Sequence, residues 1–303
     1  MRDPTVMLAA EESAGLKLMR ALAGTGCRVA GVLATPEGPA WTLARTLGHR
    51  VWPAQMVRDP AFADTMRREG VDALLNVHSL HIMCGPVLAA PPLGAFNLHP
   101  GPLPEYAGLD PPSWALYHGE SHHGVTLHAM TGRVDDGGIV ERADFAIGPE
   151  DTALTLYARC VTLGLPMVLR LIATLATGAR SPTLQPMDPA RRRYFGRRVP
   201  EEGRLSWERP AAAIVNFVRA CDYHPFASPW GHPKTRLDGC EMAIAKARLS
   251  AEATDAPPGM VVALDETGAR VACGDALVLV SHLALDGRLM RPAAVLRAGQ
   301  VLS

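Results

Sequence analysis

Residues 95–138 of the 303-residue chain read AFNLHPGPLPEYAGLDPPSWALYHGESHHGVTLHAMTGRVDDGG, and this stretch decides the fold. Its first five residues, AFNLH, are typical of the end of a buried strand. Because strand side chains alternate between faces, Asn97 and His99 point the same way and share one pocket. Pro100 has no amide hydrogen for a ladder, so the strand ends at the edge where open α/β sheets place their ligands.

A loop, a second strand and a turn complete this stretch. Residues 101–108 are punctuated by proline and glycine, which predicts a loop. After a short helical piece, residues 124–130 (GVTLHAM) are typical of another strand, and the turn that follows carries Asp135. We therefore expect an amide, an imidazole and a carboxylate to meet at one edge of the sheet.

Upstream, apolar strands alternate with stretches of helical periodicity. The predicted strands are 5–9, 28–33, 50–52 and 73–77, and the predicted helices are 14–22, 41–47 and 61–69. This rhythm predicts the α/β class, with a mostly parallel, Rossmann-like sheet and helices on both faces. The first turn, AEESAG at residues 10–15, lacks the spaced glycines of a dinucleotide fold and holds two carboxylates, so no nicotinamide or flavin is expected.

Downstream, residues 152–175 have the apolar period of a long helix that closes the first domain. An arginine-rich segment, RRRYFGRR at residues 191–198, is typical of a linker. Beyond it come a helix at 211–221 and short strands at 235–237, 241–247, 260–264, 269–272 and 276–283, a spacing that predicts a small β-barrel, OB-like domain. The predicted division is a first domain at 1–187, a linker at 188–203 and a C-terminal domain at 204–303.

Composition excludes several classes of function. The formal net charge is zero, which argues against electrostatic binding of nucleic acid over a broad surface. The six cysteines contain no close pair, so neither a zinc knuckle nor a redox dithiol is expected, and a reducing cytoplasm fits. No leader pattern precedes the first strand, and no uninterrupted apolar run reaches the ~20 residues of a membrane span, so we expect a soluble cytoplasmic protein without membrane contact.

The four histidines between residues 118 and 128 could suggest a metal site. They show no repeated ligand spacing, so we interpret them as solvent-exposed imidazoles and expect no metal.

Short motifs across the chain resemble the folate-dependent formyltransferases. They are NLHP at 97–100, LPEYAG at 103–108, WAL at 114–116, GE at 119–120, GVTLH at 124–128 and VDDG at 134–137. FGRR at 195–198, GRLSW at 203–207 and residues 260–283 resemble the C-terminal domain of the tRNA-acting and sugar-acting members. The family also includes modules of peptide and polyketide assembly lines, and the resemblance covers nearly the whole chain.

The resemblance implies a reaction and three catalytic residues, Asn97, His99 and Asp135. The co-substrate would be N10-formyltetrahydrofolate, with no metal, and an amine would attack its formyl carbon. Asn97 and His99 would donate hydrogen bonds to the resulting oxyanion, and losing one such donor typically costs ~10²–10³ in rate. Asp135 would orient His99, favour its protonated form and receive the amine proton directly or through water.

The resemblance also places the folate pocket. Leu80, His81, Ile82 and Met83 align with the loop whose backbone reads the pterin, and the turn that begins at Gly132 would lie opposite it. Backbone readout leaves little signature in the side chains.

The acceptor is left open among an amino acid, a hydroxylamine, a carrier-bound aminoacyl group and a nucleotide-aminosugar, all in specialised metabolism. A carrier protein is a further candidate partner. Glu105 and Ala107 stand where the tRNA-acting relatives commonly carry arginine, which disfavours a nucleic-acid partner. The alternatives are a methionyl-tRNA formyltransferase, a hydrolase that transfers formyl to water, and a folate sensor without catalysis. The arginines at 191–198 are interpreted as a charged linker in preference to phosphate ligands.

Overall fold

The computed structural model describes residues 3–178, 182–250, 252–285 and 287–303. In chain order the first nine strands are β1 (Thr5–Ala10), β2 (Arg28–Ala34), β3 (Val51–Pro53), β4 (Ala73–Val77), β5 (Ala95–His99), β6 (Ala107–Gly108), β7 (His122–Ala129), β8 (Ile139–Ala146) and β9 (Tyr194–Phe195). The first six helices are α1 (Glu12–Leu22), α2 (Pro39–Thr46), α3 (Phe62–Arg68), α4 (Gly85–Ala89), α5 (Pro111–Tyr117) and α6 (Ala153–Ala176).

Seven strands form one sheet in the order β3-β2-β1-β4-β5-β7-β8. The pairs from β3 to β5 are parallel, and β7 runs antiparallel to β5. The mostly parallel sheet predicted from the sequence is confirmed. The strand order reverses at β1, and open α/β sheets bind ligands at the carboxyl ends of the strands beside such a switch point.

Strand β1 lies inside the molecule on both of its faces. Its neighbouring side chains Val6, Met7 and Leu8 are fully buried although they alternate in direction, so the sheet is covered on both sides. On the face of Met7 and Leu74, the core includes Phe62 and Met66 of α3. Burial of apolar surface contributes roughly 25 cal/mol of free energy per Å² and is the main force that holds such layers together.

Helix α6 packs directly on the sheet. A Cβ placed at Gly164 would lie 2.7 Å from Leu98 Cδ1 of β5, and the Cys160 thiol lies 3.5 Å from the carbonyl oxygen of Gly124. By length and composition this helix would be able to cross a membrane, which the sequence analysis did not expect of any segment. Its close approach to β5 and β7 instead explains the apolar side chains, because they form part of a core.

Several elements escaped the sequence analysis, among them one outer strand and one short helix. Strand β8 reads IVERADFA, and most of its residues are only partly buried. As the last strand in the sheet order, it lacks the apolar run by which a buried strand is recognised. Helix α4 is five residues long and begins with Gly85 and Pro86, too short for a helical period to be detected.

The C-terminal part is an antiparallel sheet with one helix. Its elements are α7 (Ala211–Ala220), β10 (Lys234–Leu237), β11 (Cys240–Leu249), β12 (Val261–Asp265), β13 (Gly268–Ala272), β14 (Leu277–Leu285) and β15 (Arg288–Met290). The strand order is β10-β11-β14-β13-β12, with β15 also paired to β14. Ile214 and Val218 of α7 belong to one buried cluster with Ile244, Val271 and Val280. The separate antiparallel sheet is confirmed, and its closure into an OB-like barrel stays a prediction.

The described chain divides into two compact units. The first consists of the residues up to Gly108 together with Gly124–Phe145 and Ala158–Tyr194. The second consists of Leu109–His123, Ala146–Tyr157 and Phe195–Ser303. Helix α5 packs against α7 inside the second unit. The boundaries expected from the sequence, 1–187, 188–203 and 204–303, stay a prediction.

Candidate active site

Three polar side chains form a row across the sheet near the carboxyl end of β5. In the strand register Asn97 of β5 is opposite Asn76 of β4 and opposite His128 of β7. Residues in register on adjacent strands point to the same face, so the three side chains are neighbours. Asn76 and His128 are buried, and Asn97 is partly exposed.

Asp135 meets this row from the turn that follows β7. Its Oδ1 lies 3.4 Å from Asn97 Nδ2 and 3.4 Å from His128 Nε2. Its Oδ2 lies 3.5 Å from His99 Nδ1 and accepts the backbone N–H of Gly108 at 2.8 Å. The structure thus brings together the amide, imidazole and carboxylate expected at this edge of the sheet.

The loop after β5 is fixed to the same groups. Thr126 of β7 donates its hydroxyl to the carbonyl of Gly101 at 2.8 Å and accepts the N–H of Leu103 at 3.1 Å. Further along, the carbonyl of Tyr106 lies 2.7 Å from His99 Nε2. The loop therefore supplies one backbone acceptor for the imidazole and, through Gly108, one donor for the carboxylate.

The hydrogen-bonding partners of Asn97 determine the orientation of its amide. A carboxylate only accepts hydrogen bonds, so the atom of Asn97 nearest Asp135 must be the donor Nδ2. The other Nδ2 hydrogen points to His128 Nε2 at 3.1 Å. His128 can accept it because its Nδ1 donates to the carbonyl of Ala129 at 2.8 Å. Both N–H bonds of Asn97 therefore have partners within the protein.

His99 lies between two hydrogen-bond acceptors. The Tyr106 carbonyl requires a proton on Nε2, which leaves Nδ1 as the ring atom that can take up a proton. Burial lowers the pKa of His99, although the Asp135 carboxylate acts in the opposite direction. The sequence analysis expected Asp135 to favour the protonated imidazole. Asp135 does so, but burial outweighs it, and the resting side chain is neutral at neutral pH.

Asp135 is held as a carboxylate. Burial opposes its ionisation, yet the protonated forms of His99 and His128, which are present at the low pH where this carboxyl titrates, and the Gly108 N–H hold the pKa of Asp135 well below its usual range. Its backbone has a φ of +49°, in the left-handed region that aspartate tolerates better than most residues. An ionised carboxylate thus faces the unprotonated Nδ1 of a neutral imidazole.

The residues expected to bind folate lie on two exposed segments. The side chains of Leu80 and Ile82 are 72% and 67% exposed on the loop after β4, whereas His81 is half-buried and Met83 packs in the core below. Gly132 lies in the exposed turn before Asp135. Two exposed apolar side chains on one loop are suited to a flat, partly apolar ligand such as a pterin.

The histidines near the site correct one expectation. His128 and His123 are 2% and 1% exposed, so these two are not the solvent-exposed imidazoles that we expected. Within the described ranges, no group of three or more metal-binding side chains occurs. The buried His128 contacts Asn97 and Asp135 instead. Sequence reasoning missed this role, although pairing the predicted strands 95–99 and 124–130 would have placed Asn97 beside His128.

Arginines of the segment 191–193 contact the two loops that build the site. Arg191 and Arg142 both pair with Glu105. Arg192 Nε lies 3.4 Å from Asp136 Oδ1, and Arg192 Nη2 donates to the carbonyl of Val134 at 2.8 Å. These contacts support the interpretation of Arg191 and Arg192 as structural. They also neutralise Glu105, which weakens the argument that its charge repels a polyanion.

Comparison with known proteins places the chain in a family. A family model described as "Formyl transferase" matches residues 29–172, and one described as "Formyl transferase, C-terminal domain" matches residues 198–300. Together these matches span most of the sequence. The chain belongs to the formyl transferase family, as its sequence motifs indicated.

Solved structures share the fold at low sequence identity. HypX from Aquifex aeolicus, in complex with tetrahydrofolic acid, is 18% identical with a TM-score of 0.68, over 97% of this chain and 47% of HypX. An N-formyltransferase from Helicobacter canadensis, in complex with folinic acid and dTDP-3-aminofucose, is 14% identical with a TM-score of 0.68, over 92% and 99% of the two chains. A sugar N-formyltransferase from a Shewanella species is 18% identical with a TM-score of 0.64, over 83% and 99%. This chain thus spans about half the length of HypX.

Proposed function

We propose that this protein transfers the formyl group of N10-formyltetrahydrofolate to the amine of a small or carrier-linked acceptor. The observation that carries the proposal is the contact of one ionised carboxylate, Asp135, with both Asn97 and His99. Transfer needs a donor for a developing oxyanion and a base for the amine proton. These three side chains provide both within one partly buried site.

The steps follow from the proton positions in the resting site. The nitrogen of the acceptor attacks the formyl carbon, and the carbonyl oxygen becomes an anion. The Asn97 N–H now directed at Asp135 across 3.4 Å makes a long hydrogen bond, so it is the donor that exchanges partner most easily. The family resemblance implied that His99 would be a second oxyanion donor and that Asp135 would accept the amine proton. Because the Tyr106 carbonyl holds the Nε2 proton of His99, we assign the amine proton to His99 Nδ1 instead, and Asp135 stabilises the imidazolium that forms.

Collapse of the intermediate completes the transfer. The bond from the formyl carbon to N10 breaks, and N10 takes a proton as it leaves, which gives tetrahydrofolate and a formamide. The proton that His99 received balances the one that N10 gains. The same imidazole therefore acts as base and then as acid, which suits a pKa that burial lowers.

The acceptor is an amine, and four classes of amine are candidates. The Helicobacter relative was solved with an aminosugar nucleotide, and HypX was solved with tetrahydrofolic acid. Both support folate as co-substrate. An amino acid, a hydroxylamine, a carrier-bound aminoacyl group and a nucleotide-aminosugar all remain candidates in specialised metabolism, and a carrier protein would be the partner in the third case.

A panel of amines tests the function. With N10-formyltetrahydrofolate present, we expect one class of amine to accelerate the appearance of the deformylated folate chromophore at least about tenfold. Formate release at the same rate with and without amines would identify a hydrolase, and folate binding without deformylation would identify a sensor. Transfer to methionyl-tRNA alone, with steep salt dependence of binding, would favour the tRNA-acting alternative.

The cellular location and the domain boundaries are also part of this proposal. The six cysteines are all free, which supports a location in the reducing cytoplasm. We also propose that residues 1–187 form the catalytic domain, joined by a linker at 188–203 to an OB-like domain at 204–303. Expression of residues 1–187 alone would test this boundary through its cooperative unfolding.

A further inference from the structure

Asn76 of β4 has no role in the reaction derived above, yet it lies next to the reacting groups. It is 7% exposed and stands between Ala9 of β1 and Asn97 of β5 in the strand register. Leu74, the preceding residue on the same face of β4, belongs to the apolar core. An apolar side chain would be the ordinary choice at such a position of a parallel strand.

The contacts of Asn76 permit only one orientation of its amide. Its Nδ2 lies 2.9 Å from Asn97 Oδ1 and 3.2 Å from the carbonyl oxygen of Ser79. Asp135 forces Asn97 to present its oxygen to Asn76, and both neighbours of Asn76 are then acceptors. Asn76 must therefore donate twice, and a flipped amide on either residue would bring two acceptors together.

This arrangement leaves Asn76 Oδ1 without a hydrogen-bond partner among the described residues. A buried acceptor without a partner costs free energy. Asn76 Nδ2 thus makes two hydrogen bonds as a donor, while Asn76 Oδ1 accepts none among the described residues. Asn76 therefore costs stability through its own oxygen but supplies the donor for Asn97 Oδ1. This combination indicates a functional reason for an asparagine at this position.

We propose that Asn76 is a positioning residue that fixes the amide of Asn97 with its N–H bonds toward the formyl group, a role that rests on the proposed function. The chain of contacts runs from the Ser79 carbonyl through Asn76 to Asn97, and from Asn97 to His128 and Asp135. Without Asn76, the Asn97 oxygen has no donor, and only the two Nδ2 contacts remain to hold the amide, one of which is given up when Asn97 binds the oxyanion. Asn76 acts through Asn97 and does not touch the reacting atoms.

The variant Asn76→Asp tests this with almost no change of shape. Above the pKa of the new carboxyl, its oxygens face Asn97 Oδ1 and repel it, which displaces the amide from its position, so we expect kcat to fall about 10²-fold with little change in KM for the formyl donor. On acidification, the protonated carboxyl donates again, so the ratio of variant to parent kcat should rise toward one. Asn216→Asp is the control, because Asn216 Oδ1 accepts from Arg219 and a carboxylate keeps that bond.

An equal loss of kcat at every pH, or a rise in KM at constant kcat, would overturn the positioning role. A second readout is independent of catalysis. The chain has only three asparagines, so labelling asparagine with ¹⁵N gives three pairs of side-chain amide signals in an NMR spectrum of the parent and two pairs in the variant. We expect the Asn97 amide protons to exchange slowly with solvent in the parent and at least about tenfold faster in Asn76→Asp at high pH. Unchanged exchange would refute the proposal even if no acceptor amine is found.

Discussion

His99 shows how single residues define this site. Its Nε2 is committed to a backbone carbonyl and its Nδ1 faces a carboxylate at 3.5 Å. The position of the proton on the ring follows from these neighbours alone. In the proposed reaction the imidazole receives one proton at Nδ1, and Asp135 stabilises the imidazolium.

The pH dependence of the reaction follows from this pair. His99 must be unprotonated to act as base, so kcat should fall as the pH drops through its pKa, which burial lowers. Asp135→Asn removes an interaction that raises this pKa, so the acid limb of the kcat profile should move to lower pH. The same change should lower kcat itself about 10²-fold, because the imidazolium is no longer stabilised.

Steady-state kinetics between pH 4 and 8 measure both effects (roughly the range over which a perturbed histidine titrates). Asp64→Asn is the control, because this exposed carboxylate pairs with Arg67 on the surface of α3. An acid limb that stays in place or moves upward in Asp135→Asn would contradict the assignment of the limb to His99.

At the scale of elements, a short strap holds the site together. We use this name for the segment 191–194. Within it, Arg193 accepts the N–H of Ala107 at 3.0 Å, and Arg192 binds the turn that carries Asp135. The strap therefore joins the loop that contacts His99 to the turn that supplies the carboxylate. Asp136, the residue after Asp135, is the anchor for Arg192.

Removing this anchor should affect catalysis more than folding. Arg192→Gln loses the ion pair with Asp136 and weakens the bond to the Val134 carbonyl, so the turn gains freedom and kcat should fall about tenfold, since small displacements of catalytic groups are costly. Arg133→Gln is a matched control, because Arg133 pairs with the same carboxylate at 3.4 Å from an exposed position. Equal kcat values for the two variants at saturating substrate would show that the strap does not position Asp135.

The elements also show what the sequence could predict. Residues 95–99 place Asn97 and His99 on one face by alternation alone, and the motif around Asp135 identifies the third group. Asn76 and His128 join the site only through strand pairing, since they are distant in the chain and each is unremarkable alone. Strand β8 escaped because a half-exposed outer strand carries charged residues that hide its period.

At the scale of the whole molecule, the charge balance favours the proposed small or carrier-linked acceptor over a nucleic acid. Its formal net charge is zero, and Arg191 and Arg192 are paired with Glu105 and Asp136. Cations engaged in this way release few counterions from a nucleic acid. The exposed Leu80 and Ile82 provide an apolar surface at the expected folate loop. The acceptor could not be predicted, because the shared motifs specify the formyl transfer and not its recipient.

The central claim is that His99, with Asn97 and Asp135, moves a formyl group from folate to an amine. The most direct measurement is a single turnover with N10-formyltetrahydrofolate labelled with ¹³C in the formyl group, following the label into the amine. We expect transfer by the parent protein and by His122→Ala, whose imidazole is exposed, and a loss of about 10²-fold or more in His99→Ala, measured well below the unfolding temperature of each variant. Transfer by His99→Ala within about twofold of the parent rate would contradict the account.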